Sequence, residues 1–229
     1  MALNKVYNSS KEAIADVADG STIMFGGWGL VGNPENLIRA LLEKGTKNIT
    51  TIGNNPGTTF GGVNRDVALL IEAKQVKKVI ASYHGWSEHF IKQYLAREIE
   101  YEVVPQGTLA ERIRAAGANI GGFYTTNGVG TLLAEGKEEK IINGQKYILE
   151  LPLPADFAFI KAYMGDRWGN LVYRYEAQNF NPVMATAARI TIAEVEKLVD
   201  VGKIDPNQVH TPGIYVDRIV KGEYYEKRL

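Results

Sequence analysis

The placement of its glycines constrains this chain more than any other feature, because they gather where short β-prone runs give way to amphipathic helices. The run Ser21-Thr22-Ile23-Met24-Phe25 ends at Gly26-Gly27-Trp28-Gly29-Leu30-Val31-Gly32. Asn33 follows as a helix N-cap, Pro34 as the first helical residue and Glu35 as a first-turn acid. Leu37, Ile38, Leu41 and Leu42 then recur at helical spacing, and Gly45 suits the left-handed end of a helix. The unit repeats. Ile49 to Gly53 reads as a buried strand before the loop Asn54-Asn55-Pro56-Gly57 and a helix from Asp66 to Ala73. Val76 to Tyr83 is a third strand, with a loop from His84-Gly85 and a helix over Glu88 to Ala96. Glu100 to Val104 is a fourth, turning at Pro105-Gln106-Gly107 into a helix whose Thr108 and Glu111 form a capping-box pattern. Such alternation predicts an α/β fold on a mainly parallel, doubly wound sheet, with ligands outside the carboxyl ends of the strands.

The flanking segments add smaller elements. Ser9 or Ser10 can cap a short helix reaching Asp16, with Ile14 and Val17 turned inward. In the second half, Gly117 to Gly130 is rich in glycine, threonine and asparagine, and Glu138 to Leu149 reads as a hairpin turning at Asn143-Gly144. Phe157 to Tyr163 and Asn170 to Arg174 are further strand candidates, Asn179 to Ala188 is helical, and Thr191 to Val199 alternates weakly. With no solenoid repeat and no low-complexity linker, the expectation is one domain over residues 1–229 carrying a small antiparallel β extension.

Composition removes several function classes. Lys and Arg total 26 and Asp and Glu total 26, so no net field draws nucleic-acid phosphates or an anionic membrane surface. The absence of cysteine excludes disulfides, a thiolate nucleophile and thiolate metal sites, and His84 and His89 do not share a helical face, so no metal site is expected. Apolar runs are broken by charge well short of about 18 residues. Met1 to Lys11 lacks a secretory profile, so a cytoplasmic protein is expected. Neither a nucleophile-elbow serine nor a complete P-loop is present.

Three post-strand loops remain as candidate sites. Gly27-x-Gly29-x-x-Gly32 satisfies a dinucleotide-binding pattern locally, but Asn54 and Asn55 stand where a ribose-binding acid would be needed. The loop is therefore either a tight strand-to-helix turn or a place where a ligand or a partner backbone approaches closely. Asn54 and Asn55 fit an ordinary Asx turn equally well, and Gln106 is either a turn residue or a neutral donor at a strand end that could face a developing oxyanion. The run Glu135 to Lys140 reads as a solvated turn. Trp28, Trp86 and Trp168 lie in or beside loops, as core or as contact surface.

The segment from Asp19 to Ile38 resembles the signature of family I coenzyme A transferases, in the α-subunit or N-terminal half. Asn54-Asn55, Pro105 to Arg114, Phe123-Tyr124-Thr125, Gly128 to Thr131, Asp166-Arg167, Asn179-Phe180-Asn181 and Ile214-Tyr215-Val216 are similar to the same family, in order and over nearly the whole chain. Within it the likeness is to the succinyl-CoA:3-oxoacid type. The resemblance implies transfer of coenzyme A between carboxylic acids through an acyl-glutamyl anhydride and a glutamyl-CoA thioester, as in ketone-body and fatty-acid metabolism. It implies that the nucleophilic glutamate lies on a β-subunit partner, commonly in an α2β2 heterotetramer, and that coenzyme A is a substrate with no tightly bound cofactor. It further implies that Gln106 supports the oxyanion, that Asn54 and Asn55 lie near the reacting acyl group, and that Gly26, Gly27, Trp28, Gly29, Leu30, Val31 and Gly32 line the acyl and pantetheine side.

The chain departs from the family pattern at Trp28, where Phe is usual, at Asn33, at Thr126-Asn127, at His84-Gly85-Trp86-Ser87 and at Gln178. These positions bear on which acid is accepted. Besides 3-oxo acids, the expectation extends to 3-oxoadipate, glutaconate or a short fatty acid such as acetate or butyrate, and to a non-catalytic relative of the fold.

Overall fold

A computed structural model describes residues 4–225. Ser9 accepts the Glu12 N–H at 3.2 Å and caps helix α1 (Ser10–Ala13). Then follow strand β1 (Thr22–Phe25), helix α2 (Glu35–Lys44), strand β2 (Ile49–Gly53), the hairpin of β3 (Thr58–Phe60) and β4 (Val63–Arg65), helix α3 (Ala68–Glu72), strand β5 (Val76–Ala81), helix α4 (Glu88–Leu95), strand β6 (Glu100–Val103) and helix α5 (Gln106–Gly117). The second half adds β7 (Phe123–Thr125), β8 (Glu139–Ile142), β9 (Gln145–Glu150), the long β10 (Ala155–Asp166), β11 (Leu171–Val172), α6 (Asn181–Ala185), β12 (Ala188–Val199) and β13 (Arg218–Lys221).

The main sheet runs β13-β12-β10-β1-β2-β5-β6 with every neighbouring pair parallel, and β11 adds antiparallel to the far end of β10. The chain starts at the centre with β1, winds outward to β6, then returns to the other side of β1 as β10 and winds outward again. That reversal makes the β1/β10 boundary the switch point at which such sheets leave a crevice. Side chains alternate across β1: Ile23 and Phe25 pack among the side chains of α1 to α4, while Met24 joins those of α5 and α6 on the opposite face. Both faces are therefore covered, as the doubly wound reading requires.

The antiparallel extension is a three-stranded sheet, β7-β9-β8, turning at Asn143 (φ +49°) and Gly144 (φ +77°). Its strand β7 lies within the glycine-rich stretch that composition alone leaves without structure. The weakly alternating segment around Thr191 is the long β12, whose poor period reflects burial on both faces. Lys137, placed by sequence in a solvated turn, instead pairs with the buried Glu150.

Two predicted caps are corrected. Thr108 does not cap α5: that helix already begins at Gln106, and Thr108 is buried within its first turn. Asn33 does not cap α2, because its side chain turns back toward the preceding loop and Pro34 leads into a helix that starts at Glu35. The carboxylate of Glu194, from β12, does the capping instead: its Oε2 accepts the Asn36 and Leu37 N–H groups, both at 2.9 Å, and its Oε1 accepts Asn36 Nδ2 at 3.0 Å. Unpaired helix N–H groups and the positive end of the helix dipole stabilise such an anion. The Asn36 side chain also accepts the N–H groups of Glu223 and Tyr224, so the same corner holds the end of the described chain.

Complete burial pushes the Glu194 carboxyl up from 4.5 to about 7, opposed by the hydrogen bonds from Asn36 and Leu37 and by the charge of Lys161, and aided by Glu35. The folded state thus holds this proton to higher pH than the unfolded chain. Its contribution to stability is fully present below about 4.5 and is lost as pH rises toward about 7. The melting temperature of the wild type, relative to Glu194→Gln, is expected to fall across that window. A difference that does not vary with pH contradicts this assignment.

Candidate active site

At the switch point the Gly26 N–H donates to Phe159 O at 2.9 Å, so β1 stays bonded to β10 one residue beyond its end. The chain then folds back on itself. Trp28 and Val31 exchange N–H···O bonds of 2.9 and 3.1 Å, making a tight hairpin with Gly29 and Leu30 at its tip. Gly27, Gly29 and Gly32 adopt φ of +116°, +57° and +77°, backbone that side chains disfavour. Trp28 and Val31 are exposed at this tip and Leu30 is half-buried.

Side-chain amides hold the loop on several sides. Asn55 Oδ1 accepts the Gly29 N–H at 3.3 Å, Asn33 Nδ2 donates to Gly29 O at 2.8 Å, Asn179 Nδ2 to Val31 O at 3.1 Å and Asn181 Nδ2 to Gly32 O at 3.1 Å. Two glycines are required for space. A Cβ on Gly26 would lie 1.9 Å from Asn181 Oδ1, and one on Gly27 would lie 1.9 Å from Asn33 Oδ1.

The amide contacts continue across the carboxyl ends of the strands. Asn54 Nδ2 donates to Asn55 Oδ1 at 3.1 Å, and Gln106 Nε2, on the first residue of α5, donates to Asn54 Oδ1 at 2.6 Å. Gln106 therefore reaches the end of β2 across β5, whose following loop is tied to the same asparagine by Ser82 and Tyr83 N–H groups on Asn54 O, at 3.2 and 3.1 Å. Asn55 Nδ2 donates to Gly57 O and Thr58 Oγ1 at 3.0 and 3.3 Å. Beneath them the buried Asp66 accepts from Thr58 N, Ala68 N and Asn33 Nδ2 at 3.0, 3.3 and 3.4 Å. A small cavity opens between these groups, lined by Gly26, Gly27, Asn33, Asn54, Asn55 and Asp66.

The chemistry on offer is specific. Gln106, Asn54 and Asn55 are neutral donors and acceptors, placed where the N-terminus of α5 adds a positive field. The carboxylate of Asp66 is engaged by three N–H donors, an arrangement that fixes a loop. The set can stabilise negative charge developing on a bound group but brings no activated nucleophile of its own. Among the described residues, no group of three or more His, Cys, Asp or Glu is arranged to hold a metal, and no helix is long and apolar enough to cross a membrane.

The coenzyme A transferase family model matches residues 7–222. The chain belongs to the coenzyme A transferase family. This CoA-transferase chain is 50% identical over 227 residues to the A subunit of the probable succinyl-CoA:3-ketoacid coenzyme A transferase of Bacillus subtilis, covering 99% of this chain and 94% of that one. It is also 50% identical over 220 residues to the A subunit of the 3-oxoadipate CoA-transferase of Pseudomonas putida, covering 95% and 94%. In three dimensions it is similar to the acyl-CoA transferase YdiF of Escherichia coli O157:H7, with a TM-score of 0.85 at 22% identity, over 97% of this chain. It spans about half of the YdiF chain, 48%. Both of these relatives are named as A subunits.

The structure brings Gly26 to Gly32, Asn54, Asn55 and Gln106 to one end of the sheet. Trp28 and Trp86 part company: Trp28 stands at the exposed hairpin tip, whereas Trp86 lies over Gly29, where a Cβ would meet its ring at 3.2 Å, with Tyr83 edge-on to it at 5.3 Å. Sequence reasoning took Asn33 as a cap and a departure from the family pattern, and gave no site role to Asp66, Asn179 or Asn181. The available signal was the motif Asn179-Phe180-Asn181, two amides one residue apart in a chain whose glycine loop needs carbonyl partners.

Proposed function

We propose that this chain is the α-subunit of a 3-oxoacid CoA-transferase that moves coenzyme A from succinyl-CoA to a 3-oxo acid such as acetoacetate, with the glutamyl-CoA intermediate formed on a glutamate of the partner β-subunit. The observation that carries the reading is the bonded series Gln106–Asn54–Asn55, a line of neutral amides that meets the glycine loop at the carboxyl edge of the sheet. The assembly is an α2β2 heterotetramer in the cytoplasm, and coenzyme A enters it as a substrate, with no tightly bound cofactor.

The reaction explains why neutral amides suit the site. The partner's glutamate attacks the thioester carbonyl of the acyl-CoA, the carbon–sulfur bond breaks, and an acyl-glutamyl anhydride and a coenzyme A thiolate result. The thiolate then attacks the glutamyl carbonyl, releasing the first acid and leaving glutamyl-CoA. The second acid reverses both steps. In each addition a carbonyl oxygen gains negative charge beside a carboxylate. A cation there would also bind the ground-state acid, whereas an amide N–H favours the oxyanion with less affinity for the starting state. Each amide nitrogen carries two hydrogens. In the described contacts Gln106 Nε2 places one on Asn54 and Asn54 Nδ2 places one on Asn55, so each keeps a second for the oxyanion. One such donor contributes about 3 kcal/mol to the transition state.

A second acid, 3-oxoadipate, is favoured by the Pseudomonas putida relative, which is as similar as the Bacillus subtilis one. In this reading Trp28 and Trp86, at and over the hairpin tip, set how long an acid the loop admits.

Purified alone and folded, the chain is expected to exchange nothing between acyl-CoA and free acids, and co-expression with its β-subunit should restore transfer; robust activity of the solitary chain overturns the reading. In the assembled enzyme, Gln106→Ala should lower kcat about 10- to 1000-fold with assembly intact, and wild-type turnover would remove Gln106 from the oxyanion role. Trp28→Phe should shift the ratio of kcat/KM among acetoacetate, 3-oxoadipate and acetate, and an unchanged ratio would take Trp28 out of acid selection.

A further inference from the structure

We infer that Asn179 and Asn181 are positioning residues of the transfer site, fixing through the glycine loop the place at which Asn55, Asn54 and Gln106 meet the substrate. The inference rests on the CoA-transfer reading above.

Asn181 is completely buried and every polar atom of its side chain is engaged. Its Oδ1 accepts the Lys161 N–H of β10 at 2.9 Å, and its Nδ2 donates to Gly32 O at 3.1 Å and to Ala177 O at 2.8 Å. One amide orientation satisfies all three, so the side chain works as a spacer of fixed length between the central sheet and the outgoing end of the loop. Asn179 grips the neighbouring carbonyl: its Nδ2 donates to Val31 O at 3.1 Å and Glu176 O at 2.7 Å, and its Oδ1 accepts the Phe180 N–H at 2.6 Å. Val31 is bonded in both directions to Trp28, and the next residue, Gly29, donates to Asn55 Oδ1. A shift of Val31 is thereby transmitted through the hairpin to the amide series that ends at Gln106.

Filling space does not account for this arrangement. An apolar side chain could occupy the volume beside Gly26, but it would leave the Gly32 and Ala177 carbonyls and the Lys161 N–H without their side-chain partner. What the amide adds is direction. Displacing a reacting group by about 1 Å commonly costs about 100-fold in rate.

The test uses the chain assembled with its β-subunit and two sets of variants. Asn179→Ala removes a half-buried amide near the surface and should fold. Asn181→Ala is made alone and with Gly26→Ala, whose added methyl takes the place vacated by Asn181 Oδ1. In each, kcat per assembled complex should fall about 10- to 100-fold while KM for the acyl-CoA stays within about threefold. The amide hydrogens of Trp28, Gly29 and Val31 should exchange at least about tenfold faster than in the wild type, with those of α2 unchanged. Restoration of wild-type kcat by the Gly26→Ala refill would assign Asn181 to packing and overturn the inference. So would assembled variants with wild-type kcat, or with raised KM alone. If the Asn181 variants do not assemble, Asn179→Ala decides the matter. Hydrogen exchange needs no turnover: a wild-type complex without transfer activity overturns the transfer reading, whereas loop amides that stay protected in the variants overturn this inference.

Discussion

The site depends on hydrogen bonds from side-chain amides to the backbone of one loop. A glycine-rich segment that leaves a strand end has many accessible conformations, and ordering it carries a large entropic cost. Here Asn33, Asn55, Asn179 and Asn181 bind a particular N–H or carbonyl of that loop; Asn33 directly follows it, while Asn55, just past β2, and Asn179 and Asn181, at the start of α6, are distant in sequence. The loop's conformation is therefore a property of the assembled tertiary structure rather than of the segment itself.

The sheet supplies the frame. Winding outward from β1 in both directions leaves the glycine loop at the reversal, with β2 on one side and the long β10 on the other. Glu194 fixes the far end of the loop's exit, since its carboxylate on β12 receives the first free N–H groups of α2. A fully buried carboxylate is costly unless hydrogen-bonded, and three donors and a helix terminus offset that cost.

Much of this was legible in the chain. Strand–glycine–helix units placed β1, β2, β5 and β6 and their helices within a few residues, because period and punctuation are local signals. Gly26 to Gly32, Asn54, Asn55 and Gln106 were singled out from their position after strands and from the family likeness, and the structure gathers them at one end of the sheet. The failures have two causes, one local and one long-range. Asn33 and Thr108 look like caps locally, yet Asn33 finds Gly29 O and Thr108 lies inside a helix that has already begun. Glu194 as a cap of α2, the Asp66–Asn33 contact and the bonds from Asn179 to Val31 and from Asn181 to Gly32 join residues distant in sequence, for which neither propensity nor spacing carries information.

The steric pairing at the loop has an evolutionary corollary. The vacancy at Gly26 is filled by Asn181 and that at Gly27 by Asn33. The first pair is a lock whose halves sit on separate parts of the fold and the second closes the two ends of one loop, so a lineage that exchanges either member alone must pass through a poorly packed intermediate. Change is thereby constrained more tightly at the loop's base than at its exposed tip, where Trp28 stands.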